Sequence, residues 1–297
     1  GGSCCSASLL VRLRHAGLFV LAAGLLLAIT GCGSGSSQGE EAGSESRPNI
    51  VVLFVDNMGY GDLSSYGSPQ IRTPNLTRLE RQGTRLTSFY AASWCVPSRY
   101  ELMTGRYYQR AAMGGRTGAN GEGGIRAEEV TLAERLSEAG YYTQMIGKWH
   151  LGHAEDRFLP HRNGFDDWYG LPYSNDYMPP WVQTDVPLNL YHNDEVVEHP
   201  VDQHTLTTRY TERAVELITS GEDRPFFLYL PYNMPHMPIR TTDRFRGQSD
   251  GGLYGDGIET IDWSVGRIME ALDQGGGGDN TPRFFKRENG PWRGRPP

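Results

Sequence analysis

One apolar segment indicates the fold of this chain more strongly than any other: Asn49-Ile50-Val51-Val52-Leu53-Phe54-Val55. A continuous run of β-branched and large apolar residues is typical of a strand that is buried on both faces of a parallel sheet. Two polar residues follow it directly, as Asp56-Asn57. Because ligand sites in open α/β sheets lie beyond the carboxyl ends of the strands, this junction is the first candidate for a functional site.

The segments that follow alternate between helical and strand patterns. A helix is predicted with Thr73 as N-cap and Pro74 at its first position, ending at Gly83. Another begins with the capping box Thr131-Leu132-Ala133-Glu134 and ends at Gly140. The alternation predicts an α/β fold with a mostly parallel, mixed central sheet flanked by helices. Further strands are predicted at 85–90, 141–146 and 225–230, and further helices at 206–218 and along the stripe Ile261, Val265, Ile268 and Leu272.

Polar side chains recur where the predicted strands end. Lys148 and His150 follow the strand at 141–146, and His236 follows the strand at 225–230. Because the carboxyl ends of parallel strands meet at one edge of a sheet, we expect these groups to converge with Asp56 and Asn57.

The composition is that of an ordinary globular protein. The 297 residues are 38% hydrophobic and 21% charged, and the net charge is −7. This is enough chain for one large domain with a buried core. An acidic chain without a cluster of lysine and arginine argues against a nucleic-acid partner.

The first residues have the pattern of an export signal. Arg12 and Arg14 precede an apolar run at 16–29, so residues 1–31 are predicted to be a secretory signal peptide. The ending Ala28-Ile29-Thr30-Gly31-Cys32 resembles a bacterial lipobox, in which Cys32 would carry lipid; the alternative is a plain cleaved signal. Residues 32–47 are predicted to be a flexible Gly/Ser-rich tether, and 48–297 the globular domain. We therefore expect an exported protein, periplasmic or at the cell surface, bound to a membrane only through its N-terminal lipid.

The most specific motif is Cys95-Val96-Pro97-Ser98-Arg99-Tyr100-Glu101-Leu102-Met103-Thr104-Gly105-Arg106. An isolated cysteine is most often a small buried apolar residue, which is the alternative for Cys95. The fixed spacing of the motif instead resembles the signature of type I sulfatases. In that family a maturation enzyme oxidises the cysteine to formylglycine, whose hydrated aldehyde is the nucleophile.

The resemblance extends over residues 48–290 and is strongest to the arylsulfatase and N-acetylgalactosamine-6-sulfatase branch of the alkaline phosphatase superfamily. It implies that modified Cys95 and four further residues bind a divalent cation, most often Ca²⁺: Asp56, Asn57, Glu288 and Asn289. Asn57 and Glu288 each stand where relatives have aspartate. The alternative for Asp56 is an Asx turn before Gly59.

The resemblance also assigns roles in catalysis. Within Gly147-Lys148-Trp149-His150-Leu151-Gly152, Lys148 would contact the substrate sulfate and His150 would hold the aldehyde hydrate. Ser174 would line the sulfate pocket, His236 would bind substrate and protonate the leaving alcohol, and Arg99 would stabilise the hydrate. The implied reaction is hydrolysis of sulfate esters; sulfated aromatics and sulfated sugars both remain open as substrates.

The end of the chain departs from the family pattern. Between Asp279 and Asn289, Pro282 and the charged residues Arg283, Lys286 and Arg287 are expected to spoil the strand found in relatives. Relatives continue with a further lysine and a smaller domain, so we expect the chain to be C-terminally incomplete. The alternatives are a phosphonate monoester or phosphodiester hydrolase of the same superfamily and an inactive sulfate-binding lipoprotein.

Overall fold

The computed structural model describes residues 47–291, apart from positions 112 and 114. The predicted signal peptide, Cys32 and the tether up to residue 46 lie outside the described residues. Within the described part of the chain, no helix is both long enough and apolar enough to cross a bilayer.

A seven-stranded sheet forms the centre of the domain. Its strands run in the spatial order β5-β4-β3-β2-β6-β1-β7. The pairings of β3 with β2, β2 with β6, β6 with β1 and β1 with β7 are parallel, whereas β4 and β5 add antiparallel strands at one side. The predicted mostly parallel, mixed sheet is therefore confirmed. The strands are β1 Ile50–Val55, β2 Tyr142–Lys148, β3 Asp167–Leu171, β4 Leu190–His192, β5 Glu195–Glu198, β6 Phe226–Tyr232 and β7 Arg283–Arg287.

Helices cover both faces of the sheet. The α-helices are α1 Pro74–Arg81, α2 Cys95–Thr104, α3 Leu132–Glu138, α4 Leu206–Thr219 and α5 Gly252–Gln274. Short 3₁₀ turns occupy Tyr60–Asp62, Ser64–Tyr66, Tyr108–Arg110, Asp156–Phe158 and Pro160–Arg162.

Strand β1 shows why its sequence is apolar throughout. Val51 and Leu53 point into a core shared with α4 and α5, whereas Val52 and Phe54 point into a second core shared with α2 and α3. Alternate residues of a strand face opposite sides of a sheet, so a strand covered on both sides needs apolar residues at every position.

The local helix signals are confirmed. Pro74 is the first residue of α1 and Thr73 its N-cap. The predicted capping box of α3 is complete: Thr131 Oγ1 accepts from the backbone N–H of Glu134 at 3.0 Å, and the Glu134 carboxylate accepts from the N–H of Thr131 at 2.6 Å. Gly140 follows in the left-handed region, with φ of 85°.

The strand predicted at 85–90 is wrong. Residues 84–94 form neither helix nor strand, and Leu86, Phe89 and Tyr90 are exposed. The sheet offers this segment no place beside β1, since β1 already pairs with β6 and β7. Its apolar residues also lack the period of two that would bury one face.

The expectation of a spoiled strand near the end of the chain is also wrong. Residues 283–287 form β7 at the end of the sheet in the described part of the chain, and Pro282, placed before the strand, accepts from the N–H of Val51 at 3.0 Å. The Lys286 ammonium lies over the rings of Phe54 and Phe89, at 5.1 and 5.3 Å. Arg287 lies over the ring of Tyr60 at 5.0 Å, and Arg283 donates to the carbonyl of Gly278 at 3.0 Å. Burial lowers the pKa of Lys286, but at a sheet edge each of the three basic groups has an aromatic or polar partner, which reduces the cost of placing it there.

Candidate active site

Three adjacent strands deliver the predicted site residues to one edge of the sheet. Asp56 follows β1, Lys148 ends β2, and the segment 233–236 follows β6, which lies between them. Helix α2 begins at Cys95 beside Asp56. The convergence expected from the strand ends is therefore present in the structure.

Gly147 makes the close approach of these strands possible. Its φ is 135°, a conformation that side chains rarely adopt. A Cβ at this position would clash with the carbonyl of Pro231 in β6. A glycine before Lys148 therefore allows β2 to come close enough to β6 for the lysine to reach across the strand ends.

Cys95 is buried, with 8% of its surface exposed. Its thiol donates to Asp56 Oδ1 at 3.4 Å, and its sulfur accepts from Asn289 Nδ2 at 3.8 Å. Burial, followed by the negative charge of Asp56, raises the pKa of the thiol well above its usual value. An unmodified Cys95 therefore stays protonated and is a weak nucleophile.

Asp56 is a fully buried carboxylate at the centre of the cluster. Burial acts to raise its pKa, but the positive charges of Lys148 and Arg99 outweigh burial and hold the pKa well below its usual range. Lys148 Nζ donates to Asp56 Oδ2, and Arg99 Nη2 lies 3.5 Å from the same oxygen. The Asx-turn alternative does not describe this residue, because its two carboxylate oxygens accept from the Cys95 thiol and the Lys148 ammonium.

Lys148 joins Asp56 to Ser174. Its ammonium is fully buried and donates to Ser174 Oγ at 3.2 Å. Burial acts to lower the pKa of Lys148, but the attraction of Asp56 outweighs it and the pKa lies above the usual value. The site thus contains a permanent positive charge with a hydroxyl beside it.

Arg99 and Glu288 form a buried bidentate pair. Nε and Nη2 of Arg99 donate to the two carboxylate oxygens of Glu288 at 3.0 and 2.6 Å, and both side chains are fully buried. Burial raises the pKa of Glu288, and the guanidinium opposes that shift. Both oxygens of Glu288 are therefore committed to Arg99. Glu288 is not one of the three residues, Asp56, Cys95 and His236, whose potential ligand atoms lie close to one another.

Two histidines lie at the site in neutral form. Burial and the charge of Lys148 lower the pKa of His150 well below its usual value, and its Nδ1 has no partner among the described residues. Burial also lowers the pKa of His236, whose Nδ1 lies 2.7 Å from the carbonyl of Met237. Since a carbonyl only accepts, Nδ1 carries the proton, and Nε2 of His236 is the atom able to exchange protons.

Two oxygen donors at the site, from Asp56 and Asn289, suit a hard divalent cation. One ligand atom from each of Asp56, Cys95 and His236 lies within 4.8 Å of the others. The amide of Asn289 lies beside this group, because its Nδ2 donates to Cys95 Sγ at 3.8 Å and its Oδ1 accepts from the backbone N–H of Asn57 at 3.1 Å. Carboxylate and amide oxygens are the donors that Ca²⁺ and Mg²⁺ prefer, and Asp56 is a buried carboxylate that a cation could share with Lys148.

Asn233 lies at the site, although no motif in the sequence predicted a role for it. It follows β6 directly, is fully buried, and neither of its side-chain polar atoms has a hydrogen-bond partner among the described residues. By register it lies level with Asp56, because Tyr232 pairs with Val55. The signal that identified Asp56, a polar residue after an apolar strand, applies equally to Asn233.

Comparison with known proteins gives one consistent family. A family model described as Sulfatase matches residues 48–285. N-acetylgalactosamine-6-sulfatase of Canis lupus familiaris is 38% identical over 287 residues, covering 90% of this chain and 53% of that protein. Arylsulfatase A of Homo sapiens is 40% identical over 264 residues, covering 82% of this chain and 52% of that protein. The chain thus spans about half the length of the curated relatives that it matches.

Solved structures with a similar fold include the following two proteins. The structure of Ps i-CgsB in complex with k-i-k-neocarrahexaose superposes with a TM-score of 0.72 at 28% identity, covering 83% of this chain and 59% of that one. The phosphonate monoester hydrolase of Agrobacterium radiobacter gives a TM-score of 0.60 at 18% identity, covering 82% and 62%, which shows a shared fold alone.

Proposed function

This chain belongs to the sulfatase family, and we propose that the protein hydrolyses sulfate esters with a formylglycine nucleophile formed from Cys95. The observation that carries the proposal is the contact set around Cys95. A buried carboxylate, Asp56, contacts the thiol, and a buried ammonium, Lys148, contacts both Asp56 and Ser174. This places a fixed positive charge and a hydroxyl donor beside the candidate nucleophile.

Lys148 and Ser174 would bind the sulfate group. The oxygens of a sulfate ester repel an incoming nucleophile, and a fixed cation in a desolvated pocket counters that repulsion as charge redistributes. Lys148 suits the task because Asp56 keeps it charged although it is buried. Ser174 Oγ lies 3.2 Å from Nζ and can donate to a neighbouring sulfate oxygen.

Formylglycine, once formed by a maturation enzyme and hydrated, supplies one hydroxyl to attack sulfur and a second to help release sulfate from carbon. His150 lies near Lys148 and Asp56, its Nδ1 has no partner among the described residues, and burial lowers its pKa, so the neutral ring can accept a hydrogen bond from a hydroxyl group. Arg99, held by Glu288, keeps a positive charge close to Asp56 and the nucleophile.

His236 would protonate the leaving alcohol. Its Nδ1–H is committed to the carbonyl of Met237, so the transfer takes place at Nε2. Because burial lowers its pKa, the imidazolium gives up a proton readily once it forms.

A divalent cation, with Ca²⁺ as the proposed ion, would supply further positive charge at the sulfate oxygens. Asp56 would hold it through its carboxylate, and Asn57 and Asn289 through amide oxygens. Glu288 is held beside this group by Arg99 and reaches the ion only if that pair rearranges.

The test combines mass spectrometry with turnover. The peptide containing Cys95 is expected to carry an aldehyde that hydrazine reagents trap, and Cys95→Ala should abolish sulfate release from an aryl sulfate. An active preparation whose Cys95 is wholly thiol would overturn the formylglycine nucleophile. Faster turnover of an aryl phosphodiester than of the aryl sulfate would favour the phosphodiesterase alternative, and the absence of both activities would favour the inactive, sulfate-binding alternative.

Export and lipid anchoring are a separate proposal. Their support is the basic flank at Arg12 and Arg14, the apolar run at 16–29 and the lipobox-like ending at Cys32. Replacing Cys32 by Ser should release the mature protein from the membrane fraction, and unchanged membrane binding would contradict the anchor.

A further inference from the structure

A cavity separate from the candidate active site is lined by residues that follow His236 closely in the sequence. It has a volume of about 510 Å³, and residues 239–241 form part of its wall. Arg240 is four residues beyond His236, and four residues span at most about 14 Å. Asn175 Nδ2 lies 3.4 Å from the carbonyl oxygen of His236 and 3.3 Å from that of Pro238, so one side chain contacts the segment between the two places.

The cavity wall carries two guanidinium groups and an imidazole. Arg240 donates to the carbonyl of Ile239 at 3.3 Å and has no carboxylate partner among the described residues. Arg246 pairs with Asp243 at 3.5 Å, but the two side chains are 54% and 94% exposed, so water screens this pair. His204 Nδ1 lies 3.2 Å from Arg246 Nη2, which places the imidazole beside the second guanidinium.

The acid in the wall does not neutralise these groups by direct contact. Asp256 is buried, and its carboxylate accepts from the backbone N–H groups of Gly247, Gln248 and Ser249 at 2.7, 3.0 and 2.8 Å. Its oxygens are thereby committed to the loop that carries Arg246. The guanidinium of Arg240 remains available for a ligand.

We propose that this cavity binds a second acidic group, sulfate or carboxylate, of an oligosaccharide whose sulfate ester lies at Cys95. A guanidinium matches such oxygens with two parallel hydrogen bonds. Leu253, 45% exposed, adds apolar surface on which a sugar ring can lie. An oligosaccharide is long enough to span the distance of at most about 14 Å from His236 to Arg240, whereas a simple aryl sulfate has no second acidic group for Arg240 to bind. The inference rests on the proposed function and makes the substrate a polyanionic carbohydrate.

Binding is measured first, because it does not depend on turnover. The full protein is titrated with a chondroitin sulfate tetrasaccharide and with an uncharged chitin tetrasaccharide. Arg240→Ala and Arg246→Ala should each weaken binding of the sulfated probe about tenfold, which corresponds to 1.4 kcal/mol. The control is Arg267→Ala on α5, which removes the same charge from a side chain that is 51% exposed. Equal affinity of the Arg240 and control variants, or equal binding of the uncharged probe, would overturn the inference.

Kinetics separate this inference from the proposed function. Arg240→Ala should raise KM for a sulfated tetrasaccharide about tenfold and leave kcat and KM for an aryl sulfate unchanged. Turnover of the aryl sulfate together with Arg240-independent binding of the tetrasaccharide would overturn the inference and leave the function standing. Arg240-dependent binding without sulfate release from any substrate would support the second anion site and overturn the function.

Discussion

Strands β6 and β7 both pair in parallel with β1, yet their sequences have little in common. Strand β6 is apolar and buried at every position, whereas β7 contains three basic residues and is only partly buried. The polar residues that follow the two strands also differ, in whether their side chains have hydrogen-bond partners. Glu288 and Asn289, after β7, have hydrogen-bond partners, whereas Asn233, after β6, has none among the described residues. The apolar strand thus ends in groups that are ready for a ligand, and the charged strand ends in groups that hold the site together.

The largest difference between β6 and β7 is expected in how much each strand contributes to the free energy of unfolding. Phe227→Ala in β6 removes a fully buried ring and should lower the free energy of unfolding by about 3–5 kcal/mol. Phe284→Ala in β7 removes a ring that is 56% exposed and should change it by about 0.5 kcal/mol or less. Urea unfolding of both variants measures the difference, and equal losses would mean that β7 is as central to the core as β6.

The next prediction tests the holding role of the β7 end. Glu288→Gln removes the bidentate anionic partner of the fully buried Arg99, which then has only Asp56 at 3.5 Å, and should cost about 3 kcal/mol of stability. The matched control is Glu138→Gln, whose pair with Arg135 has both side chains 64% exposed and should contribute little. If both variants unfold at the same urea concentration, the buried pair is not a structural element.

A smaller effect distinguishes the two asparagines. Asn289→Leu removes an amide that bonds Asn57 and Cys95 and should cost about 1–3 kcal/mol. Asn233→Leu removes a buried amide without partners, so the free energy of unfolding should stay equal or rise by about 1 kcal/mol, while sulfate release falls. A loss of stability in Asn233→Leu as large as that in Asn289→Leu would show that buried water satisfies Asn233.

The smallest expected effect is on the pH dependence of stability. The pKa values of His150, His153 and His236 lie below the usual 6.5, each chiefly because of burial. Below pH 6.5 the unfolded chain therefore binds more protons than the folded one, so these residues make stability fall as the pH falls.

Glu288 acts in the opposite direction, because burial raises its pKa above the usual 4.5 and the folded state then binds the extra proton. The loss of stability between pH 6.5 and 5 should therefore be steeper in Glu288→Gln than in the unchanged protein. Urea unfolding at these two pH values tests the difference, and a shallower slope in the variant would contradict the assignment.

Local signals explain what the sequence predicts well. The continuous apolar run of β1 and the Thr131–Glu134 capping box are determined by neighbouring residues, and both are found where predicted. Whether residues 283–287 and 84–94 form strands depends on which edges of the sheet are free to pair with them. The pairing of strands that are distant in the sequence determines those edges, so neighbouring residues alone do not predict the outcome. The same limit applies to the site: strand ends identify Asp56 and Lys148, but the pairing of Arg99 with Glu288 joins residues 189 positions apart.

When Glu288 is ionised, the four fully buried charges of the cluster, Asp56, Glu288, Lys148 and Arg99, cancel in sign. Electroneutrality of the cleft therefore needs no bound ion, and a chelator such as EDTA should leave the melting temperature largely intact. Loading a divalent ion would give the cleft a surplus of two positive charges. Free sulfate should accordingly bind the ion-loaded protein more tightly than the stripped protein, so product inhibition becomes a convenient gauge of ion occupancy.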